Sequence, residues 1–209
     1  MYSALIYFTV GLVVCFIGTI PFGPINLTVV KITIDHSFKR GIEVAVAAAL
    51  VEIVQALIAL TFGMVISAYL DSNILLKLLI AAAFIILAFV VYLRRSEPAL
   101  NVADKGRSGY FLRGLLLAAI NPQAIPFWVF ALAAISQYAL LEYSGINLLG
   151  FLFGVFVGKL LALAGFVYAS NYLKSHLQQS SRLVNQILAS ILLLIGISQL
   201  WNVFVANWT

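Results

Sequence analysis

Long apolar runs separated by short charged or turn-rich segments fill almost the whole chain, at about 4–34, 42–69, 74–93, 110–136, 146–172 and 184–206. A membrane-spanning helix needs about 20 apolar residues, so each run is long enough for one crossing. Six crossings with short connections leave no length for a soluble domain. The pattern predicts an all-α integral membrane protein with six transmembrane helices. Residues 78–91 of the third run include no polar side chain, which suits a helix facing lipid. Prolines, amides or charges lie deep in the first, second, fourth and fifth runs, and function is expected there.

Composition agrees. The chain is 64% hydrophobic and 9% charged, with a mean hydropathy of +1.10, whereas a soluble domain carries about 25% charged residues. The net charge of +5 resides in loops rather than in a patch that would hold nucleic acid. Lys31, Lys39, Arg40, Arg94, Arg95, Lys105, Arg107, Arg113, Lys174 and Arg182 lie in or beside the connections after the first, third and fifth runs, against Lys77 alone on the other side. Basic loops stay in the cytoplasm, so both termini are expected outside, with the protein in a bacterial cytoplasmic (inner) membrane. Tyr69, Tyr92, Tyr138, Tyr172, Trp201 and Trp208 stand near run ends, as an interfacial aromatic belt does. The first fifteen residues contain no Lys or Arg. The first apolar stretch is therefore expected to remain as a helix, not to leave as a signal peptide.

The polar connection at 94–109 separates residues 1–93 from 110–209, three runs on each side. An odd number of crossings makes the second half enter from the opposite face. The expected fold is two inverted three-helix repeats in one membrane domain, a frequent build among secondary transporters.

Two runs are interrupted. The first contains Gly18-Thr19-Ile20-Pro21-Phe22-Gly23-Pro24-Ile25-Asn26. Pro21 and Pro24 cannot donate to the carbonyls one turn back, and Gly23 weakens the helix further. The fourth contains Asn121-Pro122-Gln123-Ala124-Ile125-Pro126. Asn suits a helix N-cap and Pro the first helical position, so a new helix is expected to start there, at depth. Unpaired carbonyls in hydrocarbon cost several kcal/mol each, so such breaks persist only when buried or lining a polar cavity. A single proline kink is often mechanical. One break in each half, beside Asn26, Asn121 and Gln123, points instead to a transport site.

The first motif resembles the G-x-x-P-G-P signature of the LysE-type translocators, the lysine-exporter and homoserine/threonine-efflux superfamily. Asn121-Pro122 resembles the N-P-K motif that opens their fourth helix. Two departures stand out: Phe22 is inserted between Pro21 and the Gly-Pro pair, and Gln123 replaces a frequent Lys. The resemblance implies export of amino acids or similar small polar metabolites, driven by the proton-motive force without ATP or another cofactor. Implied partners are a small polar solute, protons as coupling ion and the lipid bilayer, with a homodimer left open.

Glu52 lies ten residues into the second run and Lys159 near the middle of the fifth. A bare charge at this depth costs about 2.5–3.5 kcal/mol on insertion scales, so each needs a partner. One reading is a structural ion pair joining the two halves. The other is a transport site. There the half-helix beginning at Pro24, with Lys159, seats a carboxylate, while Glu52 holds an ammonium group or the coupling proton. Gln55 extends the polar stripe of Glu52 by one turn. The residues expected at the site are thus Pro21, Gly23, Pro24, Asn26, Glu52, Gln55, Asn121, Pro122, Gln123, Pro126 and Lys159. Gly150, Gly154 and Gly158 form a ridge expected to press the helix of Lys159 against a neighbour. Phe127 and Trp128 are expected to pack or anchor.

Other functions fit less well. A metal exporter would need several carboxylates or soft ligands at one depth, and His36 and His176 stand alone in loops. Cys15 is the single cysteine, which excludes a thiol relay. No H-E-x-x-H or G-x-S-x-G motif suggests an enzyme. A non-transporting membrane assembly protein is the remaining alternative.

Overall fold

Large apolar side chains cover much of the outside of this molecule and two charged ones are buried within it among the described residues, the reverse of a water-soluble fold. Leu5, Ile6, Leu79, Ile86, Phe89, Leu149 and Phe153 are each more than half exposed, while Glu52 is 3% and Lys159 7% exposed. Hydrocarbon as solvent explains both halves of that distribution. The structure, a computed structural model, describes residues 2–20, 23–70, 74–93, 109–121, 124–138, 143–173 and individual helical positions from 186 to 204.

Among the described residues every regular element is a helix: α1 (Tyr2–Thr19), α2 (Pro24–Asp35), α3 (Phe38–Leu70), α4 (Ile74–Leu93), α5 (Tyr110–Ala119), α6 (Ala124–Tyr138), α7 (Gly145–Tyr168) and α8 (Ser170–Leu173). Among the described residues, two segments are long and apolar enough to cross a membrane, Phe38–Phe62 of α3 and Gly145–Tyr168. The first run, counted as one bent span, makes a third: the axes of Ala4–Thr19 and Pro24–Asp35 turn by 75°. Most of the run at 184–206 lies outside the described residues.

Hydroxyls inside these helices are satisfied locally. Thr19 donates to the Cys15 carbonyl (2.7 Å), Thr28 to that of Pro24 (2.7 Å) and Thr33 to that of Val29 (2.7 Å). Each reaches back one turn, so none of these three hydroxyls needs water.

Small residues set the closest packing. α1 lies along α7, and a methyl group on Gly150, Gly154 or Gly158 would run into backbone atoms of Ala4, Phe8 or Leu12. Gly11 meets the Phe151 carbonyl in the same way from the other helix. The ridge therefore does press the lysine-bearing helix against a neighbour, and that neighbour is α1. α5 makes the matching contact on α3, where Gly114 rests on the backbone of Val44. The first element of each half thus packs on the second run of the other half. α2 bridges α3 and α7, and α6 closes against α3.

Candidate functional site

Both interrupted runs break where their prolines predict. α1 stops at Thr19 and α2 starts at Pro24; α5 stops at Ala119 and α6 starts at Ala124. Pro21, Pro122 and Gln123 lie outside the described residues. Pro126 is the third residue of α6, not a breaker within it. First-turn N–H groups have no partner in their own helix, so a proline there removes nothing the helix needs.

Two side-chain amides close the ends that the breaks expose. Asn26 Nδ2 donates to the Thr19 carbonyl at the end of α1 (2.6 Å). Gln55 Nε2 donates from α3 to the Ala118 carbonyl at the end of α5 (2.8 Å), which also accepts from the Asn121 N–H (3.1 Å). Gln55 was expected on the site itself; its amide instead caps a broken helix, and Gln55 is not on the cavity wall. On the far side of the first break, Gly23 is the N-cap of α2 and carries no side-chain cap. Intrahelical bonds begin with the Leu27 N–H to the Gly23 carbonyl (3.1 Å). The positive end of the α2 dipole consequently opens beside Ile25 and Asn26.

A cavity of about 70 Å³ lies between the two breaks. The first break contributes Gly18, Thr19, Gly23, Ile25 and Asn26, and the second contributes Asn121, Ala124 and Phe127. Glu52 and Lys159 complete the lining from α3 and α7. Lys159 Nζ lies 2.9 Å from Glu52 Oε2, and Trp128 Nε1 donates to Glu52 Oε1 at 2.8 Å. Both carboxylate oxygens therefore have a donor, the condition for keeping an ion pair in a low-dielectric interior. Cys15 is buried on α1 within electrostatic reach of both charges.

Of the residues expected at the site, Gly23, Asn26, Glu52, Asn121 and Lys159 come together on one cavity, with Pro24 starting the helix that opens on it. The hydrogen bond from Trp128 was missed. A tryptophan far from a run end must place its indole N–H on an acceptor, and Glu52 was the acidic residue at depth. Phe127 was missed as lining. Among the described residues, no three of His, Cys, Asp or Glu are grouped as metal ligands would be.

Comparison with known proteins adds one decisive finding: the family model of the LysE type translocator matches residues 16–202. The chain belongs to this family. The matched segment includes both breaks and both buried charges. No curated protein and no solved structure matches the chain. LysE type translocators are transporters rather than enzymes, and the apolar helices together with this family make the chain a multi-pass membrane protein.

Proposed function

We propose that this LysE type translocator is a secondary transporter that exports an amino acid or a similar small polar metabolite, driven by the proton-motive force. In this reading it sits in a bacterial inner membrane with both termini outside. Residues 1–93 and 110–209 form inverted three-helix repeats joined by a cytoplasmic linker at 94–109. The exchange of partners between halves, α1 on α7 and α5 on α3, supports that symmetry.

One observation carries the proposal: a buried acid–base pair on the wall of a cavity between two helix breaks. A zwitterion presents the complementary pair of charges. Its carboxylate would meet Lys159 and the N-terminus of α2, and its ammonium group would meet Glu52. Each partner then exchanges the other for a solute group, so neither buried charge is left bare. A buried lysine repels cations, which favours an organic solute over a divalent ion.

Reconstituted in proteoliposomes, the protein should carry radiolabelled amino acid outward along an imposed proton gradient, and Glu52→Gln should abolish the dependence on that gradient. Full proton-coupled flux in Glu52→Gln would remove Glu52 from the mechanism. No flux of any amino acid by the wild type would reject an amino acid as the solute.

A further inference from the structure

Apolar groups line the cavity together with its charges, and one contact among them joins the two breaks directly. Phe127, in α6, places the outer edge of its ring on Gly18 in the last turn of α1. A methyl group at position 18 would collide with Cζ, Cε1 and Cε2 of that ring, so the seat exists only because residue 18 is glycine. Phe127 is half-buried and lines the cavity, and its ring lies 5.3 Å from that of Trp128, which is fully buried and tied to Glu52. The ring is thus held on two sides, by a glycine notch and by the aromatic neighbour that grips the carboxylate.

Glu52 and Lys159 fix where the charged groups of a solute would sit. The remainder of the solute must then lie against Phe127, Ile25 and Ala124, the apolar part of the lining. Space there is short. The cavity of about 70 Å³ is far below the ~300–1,000 Å³ of ordinary ligand pockets. Of the three apolar groups, Phe127 has the largest side chain, and it rests on Gly18, a position without a Cβ.

We propose that Phe127, seated on Gly18, is the specificity-determining residue that limits the size of the solute's side chain. This rests on the transporter reading above and names the residue that selects within the solute class.

The test compares counterflow of radiolabelled alanine and leucine in proteoliposomes for wild type, Phe127→Leu and Phe127→Ala. A methylene gained or lost in an apolar pocket changes selectivity by roughly ten-fold or more, so Phe127→Ala should raise the leucine-to-alanine flux ratio by about ten-fold. Phe127→Leu should fall between, and it carries the comparison if Phe127→Ala does not fold. Gly18→Ala, which drives the ring into the cavity, should lower the ratio, and adding Phe127→Leu to it should restore the wild-type ratio. A purely structural role would depress both fluxes alike and leave the ratio unchanged; that result, with wild-type transport intact, overturns the proposal. Wild-type protein that carries other amino acids but neither alanine nor leucine would overturn this inference alone; wild-type protein that carries none would bring down the amino-acid reading on which it rests.

Discussion

Glu52 and Lys159 occupy corresponding places in the two halves: each is the fifteenth residue of its helix, and their side chains meet at 2.9 Å. Removing one partner of a buried pair leaves an uncompensated charge, worth about 3–5 kcal/mol of stability. Lys159→Met should therefore lower the thermal unfolding temperature in detergent sharply. The double variant Glu52→Gln/Lys159→Met should recover most of that loss, because a neutral pair needs no compensation. Transport should be absent from both, which separates stability from function.

Trp128→Phe keeps an aromatic ring against Phe151, whose centroid lies 5.7 Å away, but deletes the N–H that Glu52 Oε1 accepts. Leaving a buried acceptor unsatisfied costs about 1–3 kcal/mol. The unfolding temperature should fall, though less than in Lys159→Met. Equal stability of Trp128→Phe and wild type would show that the indole contributes packing alone.

Gln55 stabilises the end of α5 through its NH₂ group, not through its size or polarity. Gln55→Glu is nearly isosteric, yet its ionised carboxylate cannot donate to the Ala118 carbonyl. It should be more destabilising than Gln55→Leu, which loses about 1–3 kcal/mol, because it also buries a carboxylate without a partner. Thermal unfolding of the two variants side by side checks this.

Cys15 is 1% exposed, and as the single cysteine it reports on the α1 surroundings without background. Maleimide labelling of the folded wild type should be very slow. Gly154→Leu forces α1 off α7 and should accelerate labelling many-fold, with Gly154→Ala between the two. Unchanged labelling in Gly154→Leu would mean that the ridge does not hold the two helices together.

The helix breaks and the buried charges were legible in the sequence because each is a local violation. Proline cannot donate a backbone bond wherever it stands, and a charge inside an apolar run is conspicuous at once. What those groups touch was not legible. The Trp128–Glu52 bond joins residues 76 apart and the Gln55–Ala118 bond residues 63 apart. Helical periodicity places Gln55 on the face of Glu52, but a backbone carbonyl carries no sequence signal to mark it as the partner. Pro126 misled for the opposite reason. It has the chemistry of a breaker, yet its effect depends on where the helix starts, and α6 starts two residues earlier.

The glycine ridge between α1 and α7 has a mechanical consequence. Main chains that mesh at three successive turns cannot slide past each other or rotate without collision at every notch. α1 and α7 are therefore coupled as a single lever, and Lys159 travels with them. A shift of this lever against α3, where Glu52 is anchored, would therefore part Lys159 from Glu52.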